Sequence, residues 1–144
     1  MTTYADTSFL FAVYLPESNT PAARDYLRAH RQALAFTSLQ RYELRNAIRL
    51  AEFRRLVDAA AAGAALVEVE QHRESGNLDD TSLIWPDVLQ TADELGEKYT
   101  RTLGVRALDL LHVGAARALG ARVFLTFDAR QHALAKAAGL RVGP

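Results

Sequence analysis

The chain has 144 residues, no net formal charge and 49% hydrophobic residues, enough for one domain that buries roughly two-thirds of its unfolded surface. It contains no cysteine, which excludes disulfides and thiolate metal sites and leaves oxygen as the default ligand for a cation. The balanced charge gives no general affinity for polyanions, yet all 17 basic residues except Lys98 and Lys136 are arginine, whose planar fork suits phosphate and carboxylate.

The first candidate element is "TYAD" (3–6), a short extended segment. "SFLFAVYL" (8–15) reads as a helix ended by Pro16, and "PESNTP" (16–21) as a turn-rich link. "PAARDYLRAHR" (21–31) opens with proline at a favourable first-turn position and spaces Ala22, Tyr26 and Ala29 as a helix does. "ALAFT" (33–37) is the second strand candidate. "SLQRYELRNAIRLAEF" (38–53) is a helix capped by Ser38, with Leu44, Ala47, Ile48 and Ala51 as its buried stripe.

Alanines predict a helix over 54–71, with Gly63 as a possible interruption, and "QHRESGNLDDTS" (71–82) reads as a polar connection. A helix over 85–101 starts at Trp85-Pro86, and a second amphipathic helix covers 107–119. "ARVFLTF" (121–127) is the clearest buried strand; a glycine-closed helix over 128–139 and a last strand at 140–142 complete the chain.

Short apolar strands alternating with helices predict a single domain over 1–144, an α/β/α sandwich around a mainly parallel central sheet. Functional groups in such sheets gather beyond the carboxyl ends of the strands. Asp6 and Asp128 each follow a strand and precede a helix. No basic stretch followed by an apolar core opens the chain, and no apolar run nears the roughly 20 residues that span a bilayer. A cytoplasmic protein with no membrane partner is therefore expected.

Four acids stand at suggestive positions: Asp6 and Asp128 at strand ends, Glu43 within a helix, and Asp109 opening one. Each has a local explanation. Asp6 and Asp128 suit helix N-caps, Asp109 suits the positive end of a helix dipole, and Glu43 lies near Arg41 and Arg45. Together, however, "YADTSFL", "SLQRYELRNAI", "RALDLLHVGAAR" and "VFLTFDARQHALAKAAGL" resemble, in order, the four acidic blocks of PIN-domain proteins. The likeness is to the VapC-type ribonuclease toxins of toxin–antitoxin pairs, and it extends from Tyr4 to Val142.

The resemblance implies a PIN-like fold and hydrolysis of RNA phosphodiesters with Mg²⁺ or Mn²⁺, cations that prefer carboxylate and water oxygens. Carried over residue by residue, it assigns Asp6 and Asp109 as metal ligands and Asp128 as a direct or water-mediated one. Glu43 would act through water or orient the nucleophile. It also puts hydroxyls at Ser8 and Thr126, where they could hold a carboxylate or a bound water. His112, one turn after Asp109, belongs to a structural D-x-x-H pattern. An antitoxin protein and a second copy of the chain are the implied partners.

Arg41, Arg45 and Arg49 recur every four residues. Like charges at that spacing need acidic company, from RNA, an antitoxin segment, an intramolecular glutamate or solvent. Two other functions compete. A phosphoaspartyl mechanism needs a second aspartate two residues after the first, where Ser8 stands, or acids before it, where Thr3, Tyr4 and Ala5 stand. A PIN fold kept only as a binding module would be expected to have lost one of the four acids.

Overall fold

The computed structural model describes all 144 residues, which fall into two compact units: Met1–Asp6 with Ser82–Pro144, and Thr7–Thr81. It contains five short strands and seven helices, and every strand pairing within the units is parallel. This is the parallel α/β architecture expected from the alternation of elements, and the PIN-like fold that the resemblance implies. No helix is long and apolar enough to cross a membrane.

In the first unit, β4 (Val123–Leu125) lies between β1 (Thr3–Ala5) and β5 (Arg141–Gly143), with Tyr4 opposite Phe124 and Phe124 opposite Val142. Residues of β1 and β4 are buried along their whole length, as parallel strands covered on both faces require. Pairing runs one step past the strand ends: Asp6 N–H donates to Leu125 O, and Thr126 N–H to Gly143 O, both at 2.9 Å. The backbone of both residues is thereby fixed at the carboxyl edge.

Three helices complete this unit: α5 (Trp85–Leu103), α6 (Ala107–Ala118) and α7 (Ala129–Ala137). Gly104, at φ 64°, closes α5 in the left-handed conformation glycine adopts without penalty. A Cβ on Gly114 would meet the Ala92 backbone at 3.2 Å, so α5 and α6 approach as closely as they do because that side chain is missing. Tyr4, Val113, Phe124 and Leu134 are fully buried in the core, where the Tyr4 and Phe124 rings stack at 5.6 Å.

The second unit pairs β2 (Leu34–Phe36) with β3 (Leu78–Asp80) and carries α1 (Thr7–Tyr14), α2 (Thr20–His30), α3 (Ser38–Phe53) and α4 (Ala59–Glu74). Phe9, Leu10, Leu44, Ile48 and Val69 are buried there. Helix α3 begins at Ser38, and its cap stands one residue earlier than expected: Thr37 is the cap, and Thr37 and Gln40 form a reciprocal capping box.

Two expectations are corrected in this unit. The alanine-rich helix starts at Ala59, because Arg55 takes a positive φ of 57° and Asp58 caps Ala61 N–H at 2.7 Å; it then runs through Gly63 without interruption. The connection expected over 71–82 contains the last turn of α4 and β3. Leu78 is the only buried residue of that strand. Asp79 and Asp80 disfavour a strand by propensity, so the ladder with β2 creates it.

Candidate functional site

The carboxyl edge of the first unit gathers three of the four singled-out acids. Asp6 follows β1 and is fully buried. Asp128 follows β4 and caps α7, its Oδ1 accepting the N–H groups of Arg130 at 2.9 Å and Gln131 at 3.0 Å. Thr126 joins them: its hydroxyl donates to Asp6 Oδ2 at 2.6 Å and accepts the Asp128 N–H at 2.9 Å. One side chain thus locks a buried carboxylate to the turn that carries the next acid.

Asp109 reaches the same edge by topology. Helix α6 leads into β4 through a short turn, so it runs back along the parallel strands and its amino end lies at their carboxyl edge. A buried pair sets the register, Tyr4 Oη to His112 Nδ1 at 2.9 Å. Asp6 stands two residues beyond Tyr4 on the same face of the strand, about 6.6 Å onward. Asp109 stands three residues before His112, about 4.5 Å along the helix in the same direction. Asp109 is 7% exposed, and its Oδ2 accepts the Arg106 N–H at 2.8 Å.

The Tyr4–His112 pair joins residues 108 positions apart and is not evident from either stretch of sequence alone. The available signal was the two-residue spacing of Tyr4 and Asp6, which puts both side chains on one strand face. His112 is fully buried and spends Nδ1 on this bond, which makes it part of the framework.

Neither Asp109 nor Asp128 is paired with an arginine or lysine; their partners are main-chain N–H groups, which are neutral donors. As the side chains stand, no three carboxylate or imidazole groups cluster tightly enough to enclose one cation. The donor set still fits a hard divalent ion in kind. It is all oxygen and two of its members are buried, while Mg²⁺ commonly takes only one or two carboxylates and completes its shell with water.

Glu43 and Ser8 belong to the second unit, on α3 and α1, and both side chains are half-buried. The arginine row on α3 finds an intramolecular acid. Arg41 and Arg45 both reach Glu70 Oε1 at 3.0 Å, and Arg73 meets Glu70 Oε2 at 2.9 Å. The Arg73 hydrogen bond, and Arg41 after it, hold the Glu70 carboxyl below the usual carboxylate range despite the opposing effect of burial. Arg49 is exposed and outside this network.

A cavity of about 390 Å³ in the second unit is lined by Leu10, Val13, Tyr14, Leu34, His72 and Leu78 among others. Tyr14 Oη meets His72 Nδ1 at 2.8 Å, and burial, then the Glu68 charge, push the tyrosine hydroxyl well above its ordinary range. The cavity lies at the amino ends of β2 and β3 and gathers no carboxylate. It lacks the chemistry of the strand-end acids.

A family model described as PIN domain matches residues 3–137. No curated protein matches the chain. Among solved structures, PAE2754 from Pyrobaculum aerophilum is 26% identical, with a TM-score of 0.63 over 99% of this chain and 83% of that one. VapC20 from Mycobacterium tuberculosis, a sarcin-ricin loop cleaving toxin, is 18% identical with a TM-score of 0.64, covering 99% and 100% of the two chains. FitAcB from Neisseria gonorrhoeae is 17% identical with a TM-score of 0.63, covering 99% and 97%.

Proposed function

The chain belongs to the PIN domain family, and from that premise we propose that it is a metal-dependent endoribonuclease, the toxin of a toxin–antitoxin pair. The observation that carries this reading is the hydrogen-bonded run Asp6–Thr126–Asp128 at the carboxyl edge of parallel strands, with Asp109 brought to the same edge by α6. The fold shared with VapC20, a sarcin-ricin loop cleaving toxin, is in keeping with this reading. Glu43 is proposed as the fourth acid from the sequence resemblance alone. The cytoplasm, a cognate antitoxin and a homodimer are proposed on the same basis.

Asp6 and Asp109 would hold Mg²⁺ or Mn²⁺, with Asp128 contributing through Oδ2, the oxygen left over from its capping bonds. Such a cation supplies Lewis acidity toward a phosphate and a nucleophilic water near neutral pH. The protein contributes position. Thr126 fixes the Asp6 carboxylate, and the Tyr4–His112 bond sets the height of Asp109. Water would displace the 3′ oxygen at phosphorus, giving one fragment a 5′ phosphate.

The test is cleavage of a structured RNA by purified protein with Mn²⁺ or Mg²⁺. Asp6→Asn and Asp109→Asn should each lower kcat by about 100-fold or more, the scale seen when a preorganised electrostatic group is removed, while circular dichroism remains native. Undiminished cleavage by either variant would end the proposal. A calorimetric Mn²⁺ titration of the wild type without saturable heat would instead favour a binding module.

A further inference from the structure

We infer that Arg106 and Arg130 are substrate-positioning residues that grip phosphates of the RNA next to the cleaved one; the inference rests on the nuclease reading above. Both arginines are tied by their main chains to a candidate ligand. The Arg106 N–H donates to Asp109 Oδ2 at 2.8 Å and the Arg130 N–H to Asp128 Oδ1 at 2.9 Å. Each guanidinium therefore starts within one side-chain length of the acid it flanks, at the carboxyl edge of the first unit.

Both side chains are exposed, and no acid of the chain pairs with either guanidinium. Arg41, Arg45 and Arg73 are occupied with Glu70, Arg28 with Asp25, and Arg117 with the Ala138 carbonyl. Arg49 and several others are unengaged too, so it is their place beside Asp109 and Asp128 that singles out Arg106 and Arg130. Two unengaged guanidinium forks beside an acidic site suit the bidentate geometry of phosphate oxygens.

Local energetics make their placement more telling. Arg106 occupies the N-cap of α6, a position favouring Ser, Thr, Asp or Asn, and a guanidinium has no lone pair to accept a helix N–H. Arg130 lies in the first turn of α7, which contains no acid. A cation at either place opposes the helix dipole. Two helices at one edge both carry a residue that their own stability disfavours, and such breaks of local rule concentrate at functional sites. A phosphate ligand supplies the missing compensation.

The experiment measures binding of a fluorescent RNA oligonucleotide across a salt series, with EDTA present to withhold the divalent metal and prevent cutting, beside thermal melting. Arg106→Ser and Arg130→Gln should each weaken binding about 3- to 10-fold and flatten the slope of log affinity against log salt by about 0.7, the value for one phosphate contact to a single strand. In cleavage assays, KM should rise with kcat within about twofold. Arg106→Ser should melt no lower than wild type, since serine is the better cap, and Arg106→Lys should recover part of the slope. Arg28→Ser serves as the surface control and should change nothing. Variants with wild-type affinity and slope, or a lower melting temperature with an unchanged slope, would overturn the inference and leave the nuclease reading standing. Wild-type protein that neither binds nor cuts RNA would overturn both.

Discussion

Glu70 in the second unit and Asp128 in the first show opposite ways of satisfying an acid. Glu70 lies among three arginines, and its carboxylate is neutralised within the protein. Asp128 accepts two main-chain N–H groups, and Asp109 one, with no cationic side chain against either. N–H groups orient a carboxylate but leave its charge in place. On the proposed reading, Asp109 and Asp128 keep their charge for a cation from outside the chain, whereas Glu70 has received its positive charge from within. Surface exposure does not separate them, since Glu70 and Asp128 are both half-buried. The difference lies in the partners.

The largest effect that sharpens this contrast is stabilisation by metal. A cation that binds the native chain at 100 times its Kd should add about 2.7 kcal/mol to unfolding, read as a rise in Tm with Mn²⁺. Glu70→Gln should retain that rise and Asp109→Asn should lose most of it; an equal rise in Asp109→Asn breaks the contrast. Next comes Tyr4→Phe, which leaves buried His112 Nδ1 without the tyrosine hydroxyl. It should cost about 1–3 kcal/mol in urea unfolding. A negligible loss would show that packing alone sets the register of α6 on β1.

The smallest effect belongs to Glu70 itself. Glu70→Gln should cost roughly 0.5–1 kcal/mol and less in high salt, because the network is partly exposed. Its carboxyl is held below the ordinary range in the fold. Its contribution is therefore complete above the unfolded value of about 4.3 and disappears as pH falls through the lower folded value. Wild type and Glu70→Gln should accordingly converge in stability in acid. A difference that persists there would mean that packing, not charge, explains it.

Elements with dense local signals were readable in the sequence. Residues 85–101 and 107–119 predict α5 and α6 to within two residues, because amphipathic spacing and the Trp85-Pro86 start act within a few turns. The start of α4 was not readable, since alanines favour helix on both sides of the break that Arg55 and Asp58 impose. Strand β3 was hidden for a different reason: Leu78-Asp79-Asp80 becomes a strand only by pairing with Leu34–Phe36.

The candidate site divides in the same way. The order of residues determined that acids stand after two strands and at one helix start, because strand and helix signals are local and fix where each chain segment ends. Only the folded chain decided that the Thr126 hydroxyl reaches Asp6, 120 positions away, and that a tyrosine–histidine bond aligns α6 with β1. Those contacts depend on how a strand and a helix distant in sequence slide against each other. Burial and hydrogen-bond geometry fix that register, and no short stretch of residues encodes it.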